Sequence, residues 1–261
     1  MAGRGKITGS GKNGKMGQAG KKPASGKKIV GGPKIKIVKD GPYLVSGSLP
    51  LQKEYIEIDK KGEAVRWSKG QRYPKQETYA LCRCGKSVNK PYCTGTHAEV
   101  GFFGKETATE KRYLDQSERT SGPKLDLTDA VSFCASGRFC DRGKGTWQLT
   151  RESDDPKARK MAVDQACNCP SGRLVAWDKK SGKPAEPKSK KSISLAEDPQ
   201  AQASGPIWVK GGVLVESADG KAYEIRNRVT LCRCGSSENK PFCDGTHMRI
   251  RFNDGDKRVK R

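Results

Sequence analysis

Residues 81–97 read LCRCGKSVNKPYCTGTH, and residues 231–247 read LCRCGSSENKPFCDGTH. Thirteen of seventeen positions are identical, at a constant offset of 150 residues. Each copy spaces its metal-seeking groups as C-x-C-x8-C-x3-H: Cys82, Cys84, Cys93 and His97, then Cys232, Cys234, Cys243 and His247. The chain has only two histidines, and both stand at this one place. Two metal sites are therefore expected. C-x-C is tighter than the C-x2–4-C spacing with which structural zinc sites usually bring paired thiolates to one ion. Three thiolates and an imidazole also suit iron–sulfur chemistry. Spacing alone leaves zinc and iron both open. It disfavours disulfides, because a C-x-C bridge is strained and a repeated histidine would have no role.

Both stretches resemble the CDGSH (NEET-type) iron–sulfur motif, C-x-C-x2-S/T-x3-P-x-C-D-G-S/A/T-H. The matching residues are Cys82, Cys84, Ser87, Pro91, Cys93, Gly95, Thr96 and His97 in the first copy. In the second they are Cys232, Cys234, Ser237, Pro241, Cys243, Asp244, Gly245, Thr246 and His247. The resemblance implies a 2Fe–2S cluster in each copy, with the C-x-C pair on one iron and the third cysteine plus histidine on the other. The first copy departs from the family at Thr94, where an Asp is usual, so the two clusters are expected to differ in potential or stability.

Composition frames the rest. Only 33% of the 261 residues are hydrophobic, and Gly and Lys are plentiful, so small modules held by clusters are expected rather than one large core. No apolar run approaches the length needed to span a bilayer, and no secretory signal is apparent. Ten cysteines without export point to a reducing, cytoplasmic setting. Met1–Lys36 holds ten Lys or Arg, ten Gly and no acid, and residues 1–33 read as a disordered basic tail whose plainest role is a solvated charge run. The net charge of +23 exceeds what that tail supplies. The remainder favours an acidic redox partner.

Ordered sequence is expected from Lys34. Ile35, Ile37 and Val38 precede the turn Asp40-Gly41-Pro42, and Tyr43-Leu44-Val45 resumes an extended pattern. Tyr55-Ile56-Glu57-Ile58 alternates like a half-buried strand, and Tyr79-Ala80-Leu81 leads into the first cysteine loop. The second copy follows a shorter plan: Ile207-Trp208-Val209, Gly211-Gly212, Val213-Leu214-Val215, Tyr223-Glu224-Ile225 and Val229-Thr230-Leu231. A short helical turn is expected after each histidine. Two β-rich units related by duplication result, over 34–104 and 205–253.

Residues 124–178 are different. Asp126-Leu127-Thr128-Asp129 reads as a helix start with Thr128 as N-cap, and Trp147-Gln148-Leu149 as a strand. Ser153-Asp154-Asp155-Pro156 opens a second helix, with an early proline and acids at the positive end of the dipole. Ala158, Met161, Ala162, Gln165 and Ala166 share one stripe of it, and Leu174–Trp177 reads as a closing strand. The four remaining cysteines all lie here: Cys134, Cys140, Cys167 and Cys169. Four thiolates are what a cubane cluster needs, although a four-cysteine zinc site or a buried group of thiols is also open. Residues 127–178 resemble the divergent ferredoxin-like single-cluster domains, in which a C-x5-C pair is followed by C-P-S-G. That resemblance implies a 4Fe–4S cluster on Cys134, Cys140 and Cys169, with Cys167 the least secure ligand. Residues 179–204 read as a Lys/Pro/Ser linker and 254–261 as a second basic, solvated tail.

With both histidines assigned to metal, none is left for acid–base work. No Gly-rich nucleotide fingerprint or nucleophile elbow is present, so the chain reads as a non-enzyme. The expected architecture is α+β: two small β-rich CDGSH-type units flank a ferredoxin-like α/β insert. They would carry two 2Fe–2S clusters and one 4Fe–4S cluster and act in electron transfer. Cluster storage and delivery is the alternative. A zinc-containing nucleic-acid binder ranks third, because the basic residues are not interleaved with the aromatics that stack on single strands. The two repeat units are expected to pair within one chain as a pseudo-dimer, or between chains in a homodimer.

Overall fold

In a computed structural model, residues 32–260 are described. The N-terminal tail reading falls almost entirely outside them. The first repeat supplies β1 (Lys34–Ile37), β2 (Tyr43–Ser46), β3 (Leu51–Ile58), β4 (Ala64–Arg72), β5 (Thr78–Leu81) and, after the cysteine loop, α1 (Thr96–Glu99). The central segment supplies β6 (Glu118–Ser121), β7 (Leu125–Asp129), α2 (Thr146–Arg151), α3 (Pro156–Asn168), β8 (Leu174–Asp178) and β9 (Lys183–Pro184). The second repeat supplies β10 (Ser192–Asp198), β11 (Ala203–Lys210), β12 (Leu214–Glu216), β13 (Arg228–Leu231) and α4 (Thr246–Arg249). The fold is α+β, and mostly sheet.

Each repeat builds the same antiparallel trio. β1, β2 and β5 pair with Ile35 opposite Val45 and Tyr43 opposite Leu81. β10, β11 and β13 repeat this with Ile193 opposite Val209 and Ile207 opposite Leu231. Three short strands leave an edge and an apolar face uncovered. The repeats solve this by exchange. β12 of the second repeat runs parallel to β1, with Ile35 beside Val215. β3 of the first runs parallel to β10, with Leu195 beside Lys53, and β4 extends that sheet to five strands. The central segment forms its own antiparallel sheet in the order β6-β7-β8-β9.

Strand exchange merges the interiors. One apolar cluster joins Ile35, Tyr43 and Leu81 from the first repeat to Ile193, Ile207 and Leu231 from the second, and to Phe133 and Val175 from the centre. The expectation of separate thin modules is corrected: the strands share one core, because paired strands are apolar on their facing sides. β10 lies within residues 179–204, which therefore hold a buried strand, not only linker. Likewise Val259 is 2% exposed and Arg258 stacks on Tyr55 at 4.0 Å, so the C-terminal segment packs rather than floats.

Three local readings also change. Asp126–Asp129 is the strand β7, not a helix start, because its residues are buried on both faces; a single 3-10 turn, Val131–Phe133, follows. Trp147–Leu149 lies in α2, where the period of Thr146, Leu149 and Thr150 buries one side. Tyr223–Ile225 is not a strand; only an isolated bridge, Glu216 to Ala222, forms there. α3 matches expectation. Asp155 caps it by accepting from the Lys157 and Ala158 amides, and Pro156 occupies its first turn. Ala158, Ala162, Gln165 and Ala166 face inward, while Met161 does not. Among the described residues no helix is long and apolar enough to cross a membrane.

The arginine between each C-x-C pair reaches under its sheet. Arg83 is 1% exposed and donates to the carbonyls of Gly41 (2.8 Å), Gly104 (2.8 Å) and Val38 (3.0 Å). Arg233 makes the equivalent bonds to Gly205 (2.6 Å) and Ala196 (2.9 Å), but adds carboxylates, pairing with Glu197 at 2.8 Å and with Asp254. Lys53 and Asp256, 2.6 Å apart, complete this buried group. Three acids thus face two cations. Burial, reinforced by Asp254 and opposed by Arg233 and Lys53, pushes Glu197 up to about 7, so it holds the surplus proton.

This packing makes stability depend on pH. The folded chain keeps the Glu197 proton up to about 7, whereas an unfolded glutamate releases it near 4.3, so the native state binds more protons in that window and loses stability as pH rises through it. Glu197→Gln is neutral throughout and should gain on the parent chain by on the order of 3–4 kcal/mol between about pH 4 and pH 8. Parallel melting-temperature profiles for the two proteins would refute the assignment. The abutting loops give a second test. A Cβ on Gly85 would lie 2.5 Å from the Cys234 carbonyl oxygen, and one on Gly235 2.5 Å from that of Cys84; both glycines have positive φ. Gly85→Ala should therefore cost roughly 2–4 kcal/mol and lower iron retention. An unchanged melting temperature would show that the loops do not meet.

Candidate metal centres

Each cysteine loop leaves the buried end of a strand, Leu81 of β5 or Leu231 of β13, and returns through a short helix whose first turn carries the histidine. Local bonds hold the loop. Ser87 donates to the Tyr92 carbonyl (2.6 Å) and Ser237 to that of Phe242 (2.7 Å). The Cys82 and Cys232 amides donate to Pro91 and Pro241, each at 2.8 Å. Gly95 and Gly245, both with positive φ, turn the chain so that Cys93 and Cys243 face their histidines.

Donor atoms come together in pairs. Cys82 and Cys84 sulfurs lie 3.7 Å apart, and so do those of Cys232 and Cys234. The Cys93 sulfur is 3.3 Å from His97 Nδ1, and Cys243 is 3.3 Å from His247 Nδ1. Bonds of about 2.3 Å in a tetrahedron separate two sulfurs by roughly 3.8 Å, so each pair fits the two open positions of one metal ion. A single tetrahedral zinc would need all four donors that close together. Among the described residues, no three of these cysteine and histidine donors lie within 4.8 Å of one another. Two pairs set apart match two irons bridged by sulfide, not one zinc.

The electrostatics fit the same donor set. A hydrogen bond from Cys234 pulls Cys232 down to about 6, while Cys234 is pushed up in return. Cys84 is pushed up chiefly by burial. Two thiolates side by side need a cation between them, and a bound metal supplies it. Burial, then the Arg233 guanidinium, hold His247 down to about 4, leaving its imidazole neutral and able to ligate.

The two sites differ in cover. Cys93 and His97 are partly exposed and Thr94 and Gly95 exposed, whereas Cys243, Gly245 and His247 are buried, His247 to 3%. The cover on the second site is the central segment. A Cβ on Gly245 would collide with Ser136 Oγ and lie 3.4 Å from the Cys134 carbonyl. His247 lines the same small crevice as Ser136, Gly137 and Pro170. Asn239 donates to the Ser132 carbonyl (2.8 Å), and Phe133 meets Phe242 edge-on at 5.0 Å.

Cys134, Cys140 and Cys169 line a cavity of about 220 Å³ with Trp147, Pro170 and Arg173. Cys167 is not among its lining residues. Arg173 is fixed in that wall by two bonds to Asp129 (2.6 and 2.8 Å), which also raise its pKa. It offers positive charge to an anionic cluster. The loop after α3 is gripped from the second repeat: Arg228 donates to the carbonyls of Ala166, Cys167 and Cys169, and Arg226 to those of Ser171 and Gly172. A larger cleft of about 370 Å³, between Glu106–Lys111 and Ser217–Arg226, contains no cysteine or histidine. The acidic trio Glu197, Asp254 and Asp256 is balanced by Lys53, Arg233 and the proton on Glu197, and is a structural ion group.

Sequence reasoning passes over the arginines. Arg83 and Arg233 are visible as an identical residue inside both C-x-C pairs. Arg226 and Arg228 carry no signal, since their partners are backbone carbonyls some sixty residues away in the chain.

Comparison with protein-family models agrees with this geometry. The iron-binding zinc finger CDGSH type matches residues 40–98 and 204–248. The divergent 4Fe–4S mono-cluster model matches residues 120–179. No curated protein and no solved structure matches the chain. The chain is accordingly an iron–sulfur protein in which two CDGSH regions flank a divergent 4Fe–4S mono-cluster domain.

Proposed function

We propose that this protein carries electrons through three clusters in a row: a 2Fe–2S centre on each CDGSH loop and a 4Fe–4S centre on the central cysteines. The observation that carries the reading is adjacency. The two CDGSH loops abut through Gly85 and Gly235, and the second abuts the Cys134 loop through Gly245. Electrons would then pass between first, second and central centres through directly packed chain. Cys82, Cys84, Cys93 and His97 would hold the first cluster, and Cys232, Cys234, Cys243 and His247 the second. Cys134, Cys140 and Cys169 would hold the third, its fourth iron taking a ligand other than a cysteine thiolate of this cavity. The clusters supply the one-electron chemistry; the protein holds them close, shields the second from water and sets Arg173 in the wall of the third. No site for a further substrate is part of this reading, so the chain acts as a carrier rather than an enzyme.

Cluster delivery to an apo-acceptor is a second reading, favoured by the exposure of the first loop. Incubation with an apo-ferredoxin separates the two. Iron and sulfide moving to the acceptor supports delivery, and reversible reduction with clusters retained supports transfer of electrons.

Anaerobically purified protein should contain about eight irons and eight acid-labile sulfides, with reduced EPR signals of both cluster types. Cys140→Ser and Cys169→Ser should each remove only the 4Fe–4S signal, and Cys167→Ser should leave it. Stoichiometric zinc without sulfide would overturn the proposal. Acid should release the first 2Fe–2S cluster before the second, because the first loop around His97 is partly open to solvent whereas His247 is buried beneath the central segment. For His247 the folded pKa is below the unfolded value of about 6.5, so its contribution is full above that value and is lost as pH falls toward 4. Visible absorbance should bleach in two steps, and His97→Cys should abolish the earlier one. A single step shared by both sites would contradict the order.

A further inference from the structure

The pseudo-symmetry of the chain contains a docked complex on one side and an open face on the other. On the second motif, the central domain sits on the turn that carries Gly245, takes a hydrogen bond from Asn239 and covers His247. The equivalent residues of the first motif, offset by 150, are Asn89, Gly95 and His97. There, no atom of the described residues lies within 4 Å of a Cβ built on Gly95. Asn89 is exposed, and Val88 beside it is 88% exposed, an apolar side chain in full contact with water at the rim of a redox site.

The chemistry of the open face differs from that of the covered one. The first loop carries Arg83, Lys86 and Lys90 and no acid between Cys82 and His97, with Glu99 following; the second carries Arg233 and Lys240 but also Glu238 and Asp244. Lys86 replaces Ser236, Val88 replaces Glu238 and Thr94 replaces Asp244, each change removing negative or adding positive charge. Residues 1–31 hold cations and no acid, so the chain's own N-terminal segment cannot supply the complementary negative charge. The grips that fix the central domain are also missing here. Arg226 and Arg228 correspond to Gln76 and Thr78, so a partner seated on the first motif would be held by charge and a small apolar contact and would leave again.

We propose that the open face of the first motif, around Lys86, Val88, Asn89 and Gly95, is the docking surface for a separate one-electron carrier protein that presents carboxylates around its own cofactor. The carrier seats on the first motif as the central domain seats on the second, and the first cluster is the port through which electrons enter or leave the chain. This rests on the electron-transfer reading above. It adds that exchange with the outside occurs at one of the three centres only.

The test uses the full iron-loaded chain and an acidic plant-type 2Fe–2S ferredoxin, reduced beforehand, in a stopped-flow instrument. Lys86→Ser with Val88→Glu gives the first loop the residues that the second already carries, so the loop conformation is known to accept them. Lys180→Ser with Lys188→Ser removes the same net charge at exposed positions elsewhere. The loop variant should lower the second-order rate at low ionic strength by tenfold or more and flatten its salt dependence, while the control stays within about twofold. Equal slowing in both variants would show general charge steering and overturn the docking site, as would no slowing in either. Iron content and dithionite-reduced EPR of each variant are read in parallel. Clusters that dithionite cannot reduce would sink the electron-transfer reading itself. Iron passing to apo-ferredoxin through this face, without reversible electron exchange, would replace the carrier by a cluster acceptor.

Discussion

A loop that must hold two thiolates 3.7 Å apart has no hydrophobic core of its own, so something beneath it must keep it in shape. In this protein that support is a buried guanidinium. Arg83 and Arg233 stand between their two cysteine ligands and spread their donors over carbonyls from the neighbouring strands and turns. A planar group with five donors can do this where a lysine could not. Stacking on Tyr43 and Phe102, or on Phe252, fills the remaining space. Every other feature of the repeat is arranged around that anchor: the trio of strands that supplies the carbonyls, the exchanged strand that buries them, and the turn that brings back the histidine.

Duplication has kept the anchor but changed its surroundings. In the first repeat the arginine meets only neutral carbonyls, and Gly104 leaves room for it. In the second, the position equivalent to Gly104 is Asp254, and Glu197, Lys53 and Asp256 join the group. The contact between the loops is also unequal. Tyr43 donates to the Cys232 carbonyl at 2.8 Å, while its counterpart in the sheet register, Ile207, has no hydroxyl to return the bond. Two identical ligand sets therefore sit in different fields, one near water and one under the central domain, which is a physical basis for different redox behaviour.

Much of the candidate site is legible in the order of residues along the chain. The ligand spacing, the repeat and the four central cysteines are local, and local chemistry is written in neighbouring letters. β1, β2, β5 and α3 are legible for the same reason: short alternation, a turn signal or a cap marks each one. Misreadings fall where partners are remote. Asp126–Asp129 carries helix-start residues, but β6 and β8 claim it as a strand. Ser192–Asp198 follows a Lys/Pro/Ser stretch and looks like its continuation, yet it becomes the middle of a sheet because β3 and β11 flank it.

Sequence by itself determined which atoms are available for metal, in what order along the chain, and that the unit occurs twice. Those facts need only covalent spacing. Tertiary structure decided how the donors pair, since 3.7 Å and 3.3 Å contacts arise from turns closed by distant strands. It decided that the repeats exchange strands and share one core, which follows from edges that neither can cover alone. It also decided that one histidine is partly open to water and the other is covered by the central segment around Ser136 and Pro170. That difference depends on where a third domain packs, and no residue of either motif encodes it.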